Sequence, residues 1–315
     1  MGKKNILGIA ILIQFLNIGC QAQNDKKTME QIISDIKSQV KTYSETPVYT
    51  VQMNKQGCKM VLEMQGNVDY RMVENNGESM MLPLNAMITK SGPQTAIVKI
   101  YPKDGEEFIS KYAHVKLTFY HAPNKNSRLS DYKKITEFEL PSGLEEKKLP
   151  YYETKIQFAA TVPFDYSNEL AEAKDLKTLP NIEQKVVQKY NEIRNACENL
   201  DSLAYNKYLV HSSALVYNTT YTSKEQIEER ETSGDLLALV DPQVKKRSFT
   251  PIQNYSVQYY ANGKIVALWQ KNHHPILYLK GEVISSKEGS EAKLFEAGDP
   301  IFLYLPKNAE GLQVW

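Results

Sequence analysis

Chemistry-bearing residues are scarce in this chain. It holds three cysteines and five histidines in 315 residues, with 38 basic against 37 acidic side chains. That near-neutral balance removes the electrostatic footprint of a nucleic-acid binder or of a protein held on an anionic membrane. There is no Gly-rich phosphate loop, Walker motif, dinucleotide fingerprint or zinc signature, so no cofactor and no metal site is expected. No Gly-flanked serine, acid pair or His–Asp arrangement stands out for nucleophilic or proton-transfer chemistry, so no catalytic residue is assigned. Beyond the N-terminus no apolar run approaches membrane-spanning length. Internal repeats and low-complexity segments are lacking too.

The one long apolar run lies at the start. Lys3 and Lys4 precede Ile6–Ile18, and this charged start with its apolar stretch reads as a signal peptide over residues 1–22. Two ends are open. Ile18-Gly19-Cys20 resembles a bacterial lipobox, with Asn17 at the position that usually holds Leu, and would leave an acylated Cys20. Alternatively, cleavage after Ala22 releases a soluble chain that starts at Gln23. Either way export is expected, to the periplasm or as an outer-membrane lipoprotein that meets the membrane only through a lipid on Cys20. Cys58 and Cys197 then lie in an oxidising compartment. A bond between them would close a long loop worth roughly 5 kcal/mol. Two unpaired thiols are the expectation, because sequence alone does not place them together.

What is present is tyrosine, twenty of them, in short β-prone runs. Residues 23–47 read as a tether, then an amphipathic helix over Thr28–Tyr43 with Met29, Ile32, Ile33, Ile36 and Val40 on one stripe. From 48 to 165 the period changes. Six or seven strands separated by turn residues, with no long helix between them, argue an antiparallel β-sandwich domain. From 166 to 315 a polar connector, Ser167–Leu179, leads into a helix at Ile182–Cys197 and a second at Ser202–Ser212 with Asp201 as its N-cap. A third helix, capped by Thr222 or Ser223, runs to Glu231, and strands follow. Helices followed by a curved antiparallel sheet make an α+β layout.

The strongest local signal is the hairpin Asn254–Gly281. Asn262-Gly263 supplies the two positive-φ residues of a type I′ turn. The register then puts Tyr260 opposite Ile265, Tyr259 opposite Val266, Val257 opposite Leu268 and Ser256 opposite Trp269. Tyr255, Val257, Tyr259, Val266 and Leu268 share a dry face. Ser256, Gln258, Tyr260, Ile265, Ala267 and Trp269 share a mixed face that is expected to line an open concave side.

Two resemblances enter on these residues. Lys189-Tyr190, Asp201 and Tyr205, with the Tyr259–Trp269 hairpin, make the region from Asn181 to Trp315 similar to the cone-shaped NTF2-like/SnoaL fold. The stretches Pro83-Leu84-Asn85, Lys90-Ser91-Gly92-Pro93-Gln94 and Val98-Lys99-Ile100-Tyr101-Pro102 resemble the N-terminal β-sandwich of uncharacterised Gram-negative envelope proteins. The second resemblance implies an immunity or accessory role toward a protein partner. The first implies a small-molecule pocket in the cone, carrier or enzyme, lined by Tyr190, Tyr205, Tyr260 and Trp269 with Asp201 nearby. Each of these side chains suits an ordinary core as well.

The remaining candidates are weaker. His273 and His274, adjacent in an extended chain, point apart and read as an exposed loop pair. His114 and His121, seven residues apart on one strand, face opposite sides of a sheet. His211, beside Ser212 and Ser213, reads as a partly buried histidine. Met60, Met64, Met72, Met80, Met81 and Met87 offer either flexible core filling or an adaptable contact surface. The expectation is an exported envelope binding protein with a protein partner, and the alternative is a small-molecule carrier or enzyme.

Overall fold

Gly57 turns the chain from one sheet of the sandwich into the other. It stands alone between β1 (Val48–Gln56) and β2 (Cys58–Met64) with φ of 65°, and an added Cβ would lie 2.6 Å from the Tyr112 carbonyl oxygen. Only glycine fits both constraints. The computed structural model describes residues 28–232, 238–284 and 291–315. The signal segment, Cys20 and the tether lie outside the described residues.

The first sheet has the order β4-β1-β6-β7, with β4 at Glu78–Pro83, β6 at His114–Ala122 and β7 at Lys133–Glu139. The second has the order β3-β2-β5-β8, with β3 at Asp69–Met72, β5 at Gly92–Pro102 and β8 at Tyr152–Ala160. All pairings are antiparallel. Val51, Met53, Leu117 and Phe119 from one sheet meet Met60, Leu62, Val98 and Phe158 from the other in a single core. Sequence periodicity finds seven of these strands and misses β4, whose exposed Ser79, Met81 and Pro83 alternate with half-buried neighbours instead of with a clean apolar set.

The segment expected as a plain connector contains a short helix, α2 (Ser167–Glu172). Then come α3 (Ile182–Glu198), α4 (Ser202–Thr219) and α5 (Lys224–Thr232). The Asp201 carboxylate accepts from Ala204 N–H at 2.9 Å, which caps α4 as expected. Ser223 and Gln226 form a reciprocal box at the start of α5. The N-terminal helix, α1 (28–39), does not rest on the sandwich that follows it in sequence. Ile32, Ile36 and Val40 pack with Ala214 of α4 and Ile227 of α5, nearly two hundred residues away. Asn218 of α4 fastens its end, accepting from Lys41 N–H at 2.8 Å and donating to the Gln39 carbonyl at 3.0 Å.

The C-terminal strands form two sheets. One is β10-β11-β14-β15, from Tyr255–Tyr260, Ile265–Gln270, Leu303–Tyr304 and Gln313–Val314. The other is β13-β12-β9, from Ala292–Asp299, Leu277–Ile284 and Lys245–Phe249. The hairpin has the expected register at all four pairs. Its reversal runs through three consecutive positive-φ residues, Ala261 at 47°, Asn262 at 56° (ψ 36°) and Gly263 at 91°, with Lys264 N–H on the Ala261 carbonyl; Asn262 and Gly263 have the φ values expected of a type I′ turn, and Ala261 joins them. Mixed α and β structure with antiparallel sheets is therefore the architecture.

Candidate functional site

The four aromatic residues expected to line a cone lie on the two faces of the β10–β11 sheet and are enclosed on both. Tyr190 of α3 (1 % exposed) and Tyr205 of α4 (0 %) belong to the core beneath the dry face, with Val266, Leu268 and Leu303. The Tyr190 hydroxyl accepts from Leu268 N–H at 2.9 Å and donates to the Ile301 carbonyl, so it is spent on the sheet backbone. Tyr205 donates to the buried Asp299 carboxylate, whose pKa burial raises. Tyr260 and Trp269, each 2 % exposed, lie on the opposite face with Ile265, Phe302 and Tyr304. The structure thus brings these residues together in pairs, not as one wall. Asp201 is occupied as the cap of α4.

The mixed face does not stay open. β3 of the sandwich closes it with Arg71 and Asp69, whose side chains are 6 % and 0 % exposed. The Arg71 guanidinium carbon lies 3.4 Å from the centroid of the Trp269 ring. Its Nε and Nη2 donate to Asp69 Oδ2 at 3.1 and 2.8 Å, and Nη2 also reaches Gln258 Oε1 at 2.5 Å and the Tyr260 hydroxyl at 3.0 Å. Tyr260 donates to Asp69 Oδ2 at 2.8 Å and accepts from Trp269 Nε1 at 2.9 Å. Asp69 Oδ1 has no hydrogen-bond partner among the described residues. Burial pushes the Asp69 carboxyl above its usual range, against the pull of Arg71. Burial, then the Asp69 charge, raises the Tyr260 phenol far out of its ordinary range. A polar half-face that looks solvent-ready in the sequence is in fact the contact between the sandwich and the hairpin.

A second contact fixes the same junction. The loop after β11 carries Asn272, His273 and His274, and Lys59 of β2 donates to the Asn272 carbonyl at 3.1 Å and pairs with Asp104 at 2.5 Å. His273, at φ 76°, lies 4.2 Å from the Tyr101 ring. Burial, then Arg71 and Lys59, lowers its pKa to about 4. The pair expected to be an exposed loop is half-buried, because the loop docks on the sandwich.

Beside this junction lies a half-open groove of about 340 Å³. Gln65, Lys90, Gln94, Ser167, Asn262 and Lys264 are among its lining residues, so it sits between the sandwich, α2 and the hairpin tip. None of its lining residues is acidic or aromatic, and none is among the four aromatic candidates.

The chain matches no protein-family model, and no curated protein or solved structure matches it significantly. No family is assigned.

Other candidates find ordinary places. His211 of α4 is half-buried as expected, stacked 5.3 Å from Tyr304, with Nε2 3.2 Å from Glu169 Oε1; burial lowers its pKa and Glu169 opposes that. The Ser212 hydroxyl donates to the Leu209 carbonyl and is no partner for it. Cys58 and Cys197 are buried, free thiols in separate cores, and burial raises them to about 11 and about 12. Met60, Met64, Met72 and Met87 fill the sandwich core, while Met81 is 41 % exposed. Among the described residues no three His, Cys, Asp or Glu side chains gather as metal ligands. Sequence reasoning missed Asp69 and Arg71. Their only signal was an Asp-x-Arg alternation on a four-residue strand, too short to read as one face.

Proposed function

We propose that this chain is an exported envelope protein that binds a protein partner through its sandwich domain, in an immunity or accessory role. The observation that carries the reading is an asymmetry of the sandwich. The outer face of β3-β2-β5-β8 is covered at its β3–β2 end, where Arg71 and Asp69 point into the hairpin and Val61 is 2 % exposed, and is left to exposed, mostly polar side chains at β8 (Glu153, Lys155, Gln157). The outer face of β4-β1-β6-β7 carries half-buried Gln52, Asn54, Lys116 and Tyr120 with the exposed Met81, and its end strands β4 and β7 each keep an unpaired edge. A mixed surface of amides, a phenol and a flexible thioether is adaptable contact chemistry. The NTF2-like likeness of the C-terminal part, helices followed by strands, gives that half the role of a rigid base.

A photo-crosslinking residue in place of Met81, and another in place of Lys185 on the exposed side of α3, tests the reading in the producing cell. A discrete adduct from position 81 and none from 185 is the expected result. Equal patterns, or no adduct from either, would overturn it. The intact mass of the mature protein separately distinguishes acylation of Cys20 from cleavage after Ala22. A second reading, small-molecule binding, is favoured by the junction groove and not by the four aromatic residues.

A further inference from the structure

We propose that the junction groove is a binding site for a small phosphate monoester, with Lys90 and Lys264 as the charged contacts. The inference is independent of the protein partner, because it concerns another surface. Its first support is charge. Two lysines, Lys90 and Lys264, line a cavity of about 340 Å³, and no acidic residue lines it with them. Neither lysine forms an ion pair among the described residues. The nearest acid to matter, Asp165, feels Lys90 electrostatically, but its Oδ1 is committed to the N–H and hydroxyl of Ser167 at 2.8 and 2.6 Å.

The second support is the donor set. The side-chain amides of Gln65 and Asn262 line the groove and make no hydrogen bond within the described residues. Gly66, at φ 88° beside Gln65, has nothing within 4 Å of the place a Cβ would take, so its backbone is open to an approaching group. The third is rigidity. Lys264 is anchored by a 2.5 Å bond from its ammonium to the Ala173 carbonyl, and Asn262 stands between Ala261 and Gly263 in a tight reversal of three positive-φ residues. Donors fixed in advance lose little freedom on binding. Lysines are compact point charges suited to phosphate, whereas bidentate recognition of a carboxylate favours arginine. The lack of aromatic lining leaves no platform for a base or an apolar ring, so the body carrying the phosphate is small and polar. The volume falls at the lower end of ordinary ligand sites, roughly 300–1,000 Å³.

The test uses glucose 6-phosphate as a soluble monoester and vesicles containing phosphatidic acid as a membrane-bound one. Calorimetry with the full mature chain should show saturable binding of at least one of them, with Kd below about 1 mM. Lys90→Gln, at an exposed position, and Asn262→Asp, which keeps the turn and adds a negative charge, should each weaken it at least tenfold. Glucose itself should not bind. Soluble binding alone points to a metabolite, and vesicle binding alone to a lipid headgroup; both support the site if the two variants abolish them. No saturable heat with either probe, or binding that survives both substitutions, overturns the proposal. The circular dichroism and melting temperature of both variants should match the parent, which separates loss of the site from loss of the fold.

Discussion

Replacing Arg71 with methionine tests the junction most directly. The substitution keeps an unbranched apolar stem against Trp269 but removes the guanidinium that donates to Asp69, Gln258 and Tyr260. Asp69, whose side chain is fully buried, then keeps only the Tyr260 hydroxyl on Oδ2. Breaking a buried pair by removing one partner costs about 3–5 kcal/mol, and the lost cation–π contact adds about 1 kcal/mol. One process limits the damage. Without Arg71 the two largest influences lowering the Asp69 pKa are gone and only the Tyr260 hydrogen bond still lowers it, so burial holds the carboxyl neutral and the penalty stops growing. The folded-state pKa then lies above the unfolded one, near 3.9 by the usual reference. Such a group loses stability as pH rises through its folded value, so the deficit of the variant should be smaller at pH 5 than at pH 8. Urea unfolding of the parent, Arg71→Met, Asp69→Asn and the double variant closes the cycle. The double variant should recover most of the loss, with a coupling of about 2 kcal/mol or more. An Arg71→Met cost below about 1 kcal/mol, or simple additivity, would refute the claim that this pair holds the sandwich to the hairpin.

Three further outcomes follow from other places in the molecule. His273 titrates at about 4 in the folded chain against an ordinary 6.5, so its stabilising neutral form is complete above pH 6.5 and is lost as pH falls through 4; His273→Asn, which tolerates φ of 76°, should flatten the melting-temperature profile in that window by the equivalent of about 1–2 kcal/mol, a figure already reduced for the partial exposure of the ring. Asn85 accepts from Tyr49 N–H at 2.8 Å and donates to the Pro47 carbonyl and the Tyr221 hydroxyl, so Asn85→Ala should cost about 2–3 kcal/mol in chemical denaturation, and a change below 0.5 kcal/mol would show that this network is replaceable by water. Gly263→Ala puts a Cβ 2.6 Å from Asp175 Oδ1 at φ of 91° and should cost about 1–3 kcal/mol, read from the urea midpoint.

The legible parts of the fold were those set by short-range rules. Asn262-Gly263 marks its turn because Asn and Gly accept positive φ at the least cost, although Ala261 is drawn to positive φ with them, and the hairpin pairs follow the expected register. The Asp201 cap and the Ser223–Gln226 box declare themselves within four residues. By contrast β4 and β9 carry no apolar alternation, since β4 is an edge strand and β9 has a solvent-facing run of charge. Tyr190 and Trp269 look alike in sequence as pocket aromatics. Their separation onto two faces of one sheet depends on which layers cover that sheet.

Sequence alone determined most of the sandwich strands, the caps of the later helices and the register of the central hairpin, because capping, turn dihedrals and side-chain alternation act within a few residues. Tertiary structure decided that α1 belongs to α4 and α5, that the mixed face of the hairpin is covered by β3 of the sandwich, and that the donor-lined groove lies at the hairpin tip. Those outcomes rest on contacts between residues as far apart as Arg71 and Trp269, whose burial and charge pairing have no local signature.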